Sequence, residues 1–297
     1  MKRTSLSAAF FIVCSSLMLQ AQQNQPKITV SAVAGPVYML QGGGGNIGVV
    51  TDAAGIVVID AMMEPSAEPI RSALKSLPGG DRVRILINTH WHSDHTDGNK
   101  FLGPGAAIIS HENVRSLLAK DQTLMGQKTP ALPAGALPDI TYSDKLVVHA
   151  GGEAIRLVHY PHAHTDGDTV VSIDKVKVVH MGDMFFNGMF PFLDVANGGD
   201  IENWVRQLDS IIAGLHADAK IIPGHGPLAS PAELKAFRQM LHDSAETVRK
   251  QMKEGKTLEQ IKAAGLPDRF APWTKGFLST PRWLELVYQS LEKQSLK

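Results

Sequence analysis

Four polar residues in one short segment have the types and spacing of metal ligands. Residues 84–95 read RILINTHWHSDH, an apolar strand followed by four such residues: His90, His92, Asp94 and His95. Alternate side chains of an extended chain face the same way, so His90 and His92 can bind one ion. The turn into the next helix then brings Asp94 and His95 toward a second ion nearby. The H-x-H-x-D-H pattern therefore predicts a metal site.

Three later segments each place one further ligand type directly after a predicted strand. These residues are His164 in AHTDGD, Asp183 in HMGDMFF and His225 in PGHGP. A single His or Asp beside glycine is more often a turn residue than a ligand, so each is weak evidence alone. Together with the first segment they give seven His and Asp groups. That number suits two metal ions with room for a water molecule.

Composition and charge exclude several classes of function. The chain has 297 residues, of which 43% are hydrophobic and 20% charged, so it is neither disordered nor fibrous and can bury a sizeable core. Lys plus Arg equals Asp plus Glu at 29 each, which gives no electrostatic basis for binding nucleic acid or an anionic membrane. We therefore expect a small-molecule substrate as the binding partner, and the sequence leaves the oligomeric state open.

Residues 1–21 have the pattern of a cleavable signal peptide. A basic start is followed by a largely apolar run over 6–19, which is shorter than the ~20 residues that a membrane-spanning helix needs. We expect cleavage near Ala21 and a periplasmic or secreted mature protein that is not attached to a membrane; a buried helix or an uncleaved anchor is the alternative. Cleavage also removes Cys14, the single cysteine, so metal ligands in the mature chain must be His and carboxylate groups.

The rest of the chain alternates predicted strands with predicted helices. The strands are expected at 27–33, 36–40, 48–51, 55–60, 83–88, 106–110, 146–149, 155–159, 169–173, 177–180 and 220–222. The helices are expected at 66–77, 97–102, 112–119, 202–215 and 231–253, with two more beginning near 257 and 280. Residues 121–140, rich in Pro and Gly, are predicted to form a mobile surface loop. We expect one α/β domain over 27–230 and a helical C-terminal extension over 231–297 packed on the same domain.

The order of these motifs resembles that of the metallo-β-lactamase superfamily over about residues 30–230. The matching segments are IVVID, which ends at Asp60, then HWHSDH, AHTDGD, GD and GHG. The resemblance implies an αββα sandwich with metal ions at one edge of its two sheets. The implied zinc ligands are His90, His92 and His164 for the first ion and Asp94, His95 and His225 for the second, with Asp183 bridging both. His162 lies near the same turn as His164, but the Thr-Asp-Gly that follows His164 is the usual continuation in this family.

The chain departs from the antibiotic-hydrolysing members of that family. The cysteine-ligand subclass has Cys where this chain has Asp183, and commonly a substrate-binding Lys where this chain has Phe186. The all-histidine subclass normally lacks the bridging Asp. The complete set of seven ligands is more similar to glyoxalase II and lactonases, yet glyoxalase II acts on glutathione thioesters inside cells. The subfamily therefore stays open.

The resemblance implies hydrolysis of a carbonyl substrate by water activated between two zinc ions, with Asp94 as the proton-transfer group. The expected function is an exported zinc hydrolase of cyclic amides or esters, with β-lactams as the first candidate. The alternatives are a thioesterase or lactonase of the glyoxalase II type, a di-iron relative that handles oxygen or sulfur on the same ligands, and a non-catalytic zinc-binding domain. The apolar run 184–192 is either core or a wall of the substrate pocket.

Overall fold

The computed structural model describes residues 26–295. The predicted signal segment 1–21 lies outside the described residues, so its cleavage stays a prediction. Among the residues that the structure describes, no helix is both long and apolar enough to cross a membrane.

Two β-sheets form the centre of the molecule. The first has seven strands in the order β1-β2-β3-β4-β5-β6-β9, and the second has five in the order β10-β11-β12-β13-β14. The first sheet is built from β1 Thr29–Ala34, β2 Val37–Gln41, β3 Ile47–Val50, β4 Ile56–Ile59, β5 Val83–Ile87, β6 Ala107–His111 and β9 Ile140–Tyr142. The second is built from β10 Lys145–Ala150, β11 Glu153–His159, β12 Thr169–Ile173, β13 Val178–His180 and β14 Lys220–Ile222. Each sheet begins with antiparallel strands and becomes parallel, at β4-β5-β6-β9 and at β13-β14.

Helices cover the outer faces of both sheets. They are α1 Ala67–Lys75, α2 Ser93–Thr96, α3 Asn99–Leu102, α4 Glu112–Leu118, α5 Ile201–Gly214, α6 Pro231–Lys253, α7 Leu258–Ala264 and α8 Thr280–Ser295. The inner faces of the sheets share one apolar core, in which Val57 and Ile87 of the first sheet lie with Leu157 and Val171 of the second. This is the αββα arrangement that the sequence predicts.

The C-terminal helices are packed on the second sheet. Ser230 caps α6 in a capping box with Glu233, as its Ser-Pro start indicates. Phe237 of α6 and Trp283 of α8 are fully buried in the same apolar cluster as Ile221 of β14. This cluster contains residues from both sides of residue 230. The division of the chain at residue 230 stays a prediction.

Residues 121–140 lie mostly at the surface, as predicted, but they are not a loop throughout, and their mobility stays a prediction. This segment contains a β-hairpin formed by β7 Gln122–Leu124 and β8 Gln127–Thr129, and β9 begins at Ile140. The hairpin turn is Met125-Gly126, and both residues have positive φ angles, as a two-residue hairpin turn requires. Methionine is uncommon in such a turn and each strand has only three residues, so the sequence pattern does not indicate the hairpin. The Pro and Gly content of the segment indicates a loop instead.

Candidate metal centre

All seven predicted ligands lie at one end of the two sheets, in loops or, for Asp94 and His95, in the short helix α2. Three of these loops leave the carboxyl ends of β5, β13 and β14, and they carry respectively the HWHSDH segment, Asp183 and His225. His164 lies in the loop between β11 and β12. Parallel strands of two facing sheets end at a common edge, which is why residues up to 135 positions apart in the sequence meet here.

The ligand atoms form two groups. His90, His92, His164 and Asp183 make the first group, and Asp94, His95 and His225 make the second; within each group the atoms lie within 4.8 Å of one another. The structure therefore brings together every residue of the predicted ligand set. The alternative ligand His162 is exposed and pairs with Asp166 instead.

Three imidazole nitrogens of the first group point at a common centre. His92 Nδ1 lies 3.1 Å from His90 Nε2 and 2.9 Å from His164 Nε2. Zn–N bonds of about 2.0–2.1 Å in a tetrahedron place neighbouring ligand atoms roughly 3.3 Å apart. The spacing of the three nitrogens is thus close to that of ligands sharing one ion.

In the four buried histidines of the two groups, the ring nitrogen that faces away from the other ligands donates to an oxygen. The four bonds are His90 Nδ1 to Thr89 Oγ1 (3.1 Å), His92 Nε2 to Asp194 Oδ2 (3.1 Å), His95 Nδ1 to Asp60 Oδ2 (2.8 Å) and His164 Nδ1 to the Phe192 carbonyl (2.9 Å). The Thr89 hydroxyl itself donates to Asp60 Oδ2, so it accepts from His90. Each bond fixes the tautomer whose inner nitrogen keeps its lone pair, which is the form that binds a metal.

Asp183 lies between the two groups. Its Oδ1 is 3.0 Å from His95 Nε2 and 3.4 Å from His225 Nε2, while its Oδ2 is 3.5 Å from His164 Nε2. Oδ1 is buried and makes no hydrogen bond. A buried carboxylate oxygen without a donor is costly unless a cation occupies its other side. This donor set of imidazole nitrogens and carboxylate oxygens suits a divalent metal.

The family is identified by comparison with known proteins. The model of the metallo-beta-lactamase superfamily matches residues 40–225, more than half of the chain and all seven clustered residues. The chain belongs to this superfamily. Its αββα fold is the fold of the family, as the resemblance in sequence predicted.

Individual relatives of this metallo-β-lactamase superfamily member are distant. It is 27% identical over 215 residues to 2,4-dinitroanisole O-demethylase subunit alpha from Nocardioides sp. (strain JS1661), a match that covers 71% of this chain and 62% of that protein. A metallo-beta-lactamase from Pontibacter korlensis shares 19% identity with a TM-score of 0.58, over 73% of this chain and 99% of its own.

A third relative also aligns with the C-terminal helices. The stereoselective inverting sec-alkylsulfatase from Pseudomonas sp. shares 15% identity with a TM-score of 0.66, over 92% of this chain and 51% of its own. This chain thus spans less than two thirds of the demethylase subunit and about half of the alkylsulfatase. At these identities the two solved structures show the shared fold.

The sequence analysis missed two carboxylates that position ligands. Asp194 accepts from His92 Nε2 and from Trp91 Nε1, both at 3.1 Å. Asp60, which the sequence marks only as a strand end, accepts from the Thr89 amide and from His95. Its positive φ of 65° is uncommon for a residue other than glycine. That backbone angle has no signature in the sequence, and Asp194 lies in a loop with no recognisable motif.

Burial and charge act differently on the two groups. Burial lowers the pKa of His164 to about 3 and also lowers the pKa of His90, which favours the neutral imidazole that metals bind. Burial lowers the pKa of His225 too, but Asp183 and Asp94 outweigh it and raise that pKa to about 9. The second group is therefore a place where carboxylates favour positive charge, whether the charge is a proton or a metal ion.

The apolar run 184–192 is mainly core, with two of its rings against ligands. Met184, Phe185 and Phe190 are buried. Phe186 is buried as well, and its ring stacks on His225 at 4.9 Å between centroids. The ring of Phe192 lies 5.6 Å from that of His92. The interpretation of this run as core is thus confirmed, and its role as a wall of the substrate pocket stays a prediction.

Proposed function

We propose that this chain is an exported dinuclear zinc hydrolase of carbonyl substrates, β-lactamase-like in acting on cyclic amides or esters. The observation that supports it best is the common orientation of His90, His92, His95 and His164: each has its inner nitrogen free for a metal and its outer nitrogen bonded to an oxygen. Asp183, between the two groups, is suited to bridge two ions. Membership of the superfamily supports hydrolysis as the reaction class.

Asp94 is the proton-transfer group in this proposal. Its side chain is 29% exposed, more than that of any other residue of the two groups, and its Oδ2 lies 3.2 Å from His225 Nε2. Burial raises the pKa of Asp94, but His95 and His225 lower it to about 2, so the carboxylate is ionised at neutral pH. In this ionised form it can orient an attacking water by accepting its hydrogen bond, and we propose that it relays a proton to the leaving atom. The zinc ions, when bound, would polarise the carbonyl group and lower the pKa of water.

A second candidate is a thioesterase or lactonase of the glyoxalase II type. The position of Asp183 between the two groups favours it, because the set of seven ligands resembles that of those enzymes. A di-iron relative on the same ligands is the third candidate. The matched relatives carry names for several different reactions, so the chemical identity of the substrate depends on a direct test.

The test is metal analysis followed by a hydrolysis screen. Zinc-loaded mature protein would be offered β-lactams, lactones and thioesters, together with an aryl methyl ether and a secondary alkyl sulfate. We expect about two zinc ions per chain and hydrolysis of at least one carbonyl class, abolished by chelation and restored by zinc. Iron in place of zinc would favour the third candidate. Full zinc loading without hydrolysis of any carbonyl substrate would contradict the proposal.

Export needs a separate measurement. Mass spectrometry of the protein recovered from its native cells should find the mature N-terminus close to Gln22. A product that retains Met1 in the cytoplasm would contradict this part of the proposal without affecting the reaction.

A further inference from the structure

One aromatic side chain at the metal centre is exposed rather than buried. Phe277, between α7 and α8, is 58% exposed, the largest exposure among the large apolar side chains noted in residues 26–295. Its ring lies 6.3 Å from that of His225 and 6.5 Å from that of Phe186. An exposed ring beside a ligand costs solvation free energy in the free protein, and a bound apolar group would remove that cost.

The position of Phe277 is fixed by its neighbours along the chain. The Phe190 amide donates to the Trp273 carbonyl at 2.8 Å, which joins the two segments. A Cβ on Gly276 would lie 2.6 Å from the side chain of Met189, so this glycine allows the close approach. Leu278 on the other side is buried. The backbone that carries the ring is therefore fixed beside the site in advance of binding, which reduces the entropy that binding would cost.

The accessible side of the centre is the side on which Phe277 lies. Among the residues of the two groups, only Asp94 and His225 have appreciably exposed side chains, at 29% and 18%. The His225 ring stacks on Phe186 at 4.9 Å, with the ring of Phe277 6.3 Å away. The exposed ring of Phe277 therefore lies next to one of the two accessible ligands.

The side chains beside Phe277 supply no lysine or arginine for a substrate carboxylate. In the described part of the chain, Asp94 and Asp183 form ion pairs only with histidines. The neighbours of the Phe277 ring are the His225 ring and the buried ring of Phe186. The exposed surface that Phe277 adds to the site is therefore apolar.

We infer that Phe277, backed by the buried ring of Phe186, forms a specificity wall for an uncharged apolar group, aromatic in the first place, carried by the substrate next to its scissile bond. Phe277 comes from the C-terminal segment, outside the residues that the family model matches. The assignment rests on the proposed function, because the wall is useful only if the reacting atoms sit at the metal centre.

The test compares three metal-binding probes that differ only in one arm. Benzohydroxamate and acetohydroxamate chelate through the same two oxygens, and succinic monohydroxamate adds a carboxylate arm. Calorimetric titration of the zinc-loaded mature protein should show benzohydroxamate binding about tenfold tighter than acetohydroxamate, as expected for one aromatic contact and the area it buries. The carboxylate arm should give no gain. Phe277→Ala should reduce the ratio to about threefold or less, and Phe277→Tyr should retain it.

The ratio of the acetohydroxamate and benzohydroxamate dissociation constants is compared across variants. This comparison cancels the intrinsic difference in zinc affinity between the two probes. The matched control is Val147→Ala, which removes another exposed apolar side chain from β10 and should leave the ratio unchanged. An unchanged ratio in a folded Phe277→Ala protein, or tighter binding of the carboxylate probe than of benzohydroxamate, would overturn the wall while leaving the hydrolase proposal standing. Failure of all three probes to bind the wild-type protein would overturn the metal centre itself, and the wall with it.

Discussion

His92 is fixed from both sides of its ring, and it illustrates how this centre is held at the scale of single residues. Its Nδ1 faces the other ligands, and its Nε2 donates to Asp194. Asp194 is itself fixed, because Asn197 donates to both of its oxygens. The ligand thus keeps one tautomer and one orientation before any metal arrives, which lowers the reorganisation that binding requires.

Removing the Asp194 carboxylate should lower the metal affinity of the first group more than that of the second. We predict that Asp194→Ala lowers zinc affinity of the first group about 10- to 100-fold, because His92 then loses the acceptor that fixes its tautomer. Asp194→Asn keeps an acceptor oxygen and should lose less. Competition with a chromophoric chelator would measure both affinities. Equal affinity in all three proteins would show that the contact with Asp194 does not position the ligand.

The charge of Asp183 should decide whether the second group retains its metal ion. Asp183→Asn keeps the size of the side chain but removes the charge, and the second group then retains only the Asp94 carboxylate. We predict a fall from about two to about one zinc per chain and a loss of about 10²-fold in turnover, with the fold intact.

Elemental analysis and steady-state kinetics would measure the effect of Asp183→Asn. The matched control is Asp218→Asn at an exposed carboxylate paired with Lys177. Two tightly bound ions and near-normal turnover in Asp183→Asn would show that this residue serves the turn rather than the metals.

At the scale of elements, the centre depends on loops that fit closely against one another. Asn46 donates to the carbonyls of Pro223 and Gly226, which joins the loop before β3 to the PGHGP loop after β14. In the same loop Gly45 packs on His95, where a Cβ would lie 2.1 Å from Cε1. His95 cannot move aside without breaking its bond to Asp60.

Gly45→Ala should therefore displace the His95 ring from its place in the second group. We predict loss of the second ion and of most activity, since the added methyl group and the His95 ring cannot both fit. The control is Gly135→Ala, where a Cβ meets nothing within 4 Å. Normal metal content in Gly45→Ala would mean that the loop can shift without cost.

The sequence predicts strands and ligands better than it predicts the contacts between loops. Apolar runs bounded by glycine located the strands of both sheets except β9, and residue type with strand position pointed to the seven residues that the structure brings together in two groups. The hairpin over 122–129, the role of Asp194 and the exposure of Phe277 depend on packing between segments distant in the chain. No periodicity or short motif records such packing, so these features needed the structure.

At the scale of the whole molecule, the C-terminal helices belong to the core while one residue beside them belongs to the site. Trp283 of α8 is fully buried, stacks on Phe190 at 5.8 Å and donates to Ser244 Oγ of α6. Phe190 lies in the run that follows Asp183. The extension is thus joined to the metal-binding loop through an aromatic contact, and the same extension presents the exposed Phe277 to solvent.

These two aromatic residues should separate stability from specificity. We predict that Trp283→Ala lowers the free energy of unfolding by about 3–5 kcal/mol, because it leaves a cavity in the core and removes the hydrogen bond that Ser244 Oγ accepts. Phe277→Ala, at an exposed position of the same segment, should leave the free energy of unfolding within about 0.5 kcal/mol of wild type. Urea unfolding followed by tryptophan fluorescence for Phe277→Ala, and by circular dichroism for both, would measure these values. If Trp283→Ala were no less stable than Phe277→Ala, α8 would be a peripheral addition to the sandwich, and its contact with Phe190 could not be what holds the Phe277 segment at the metal centre.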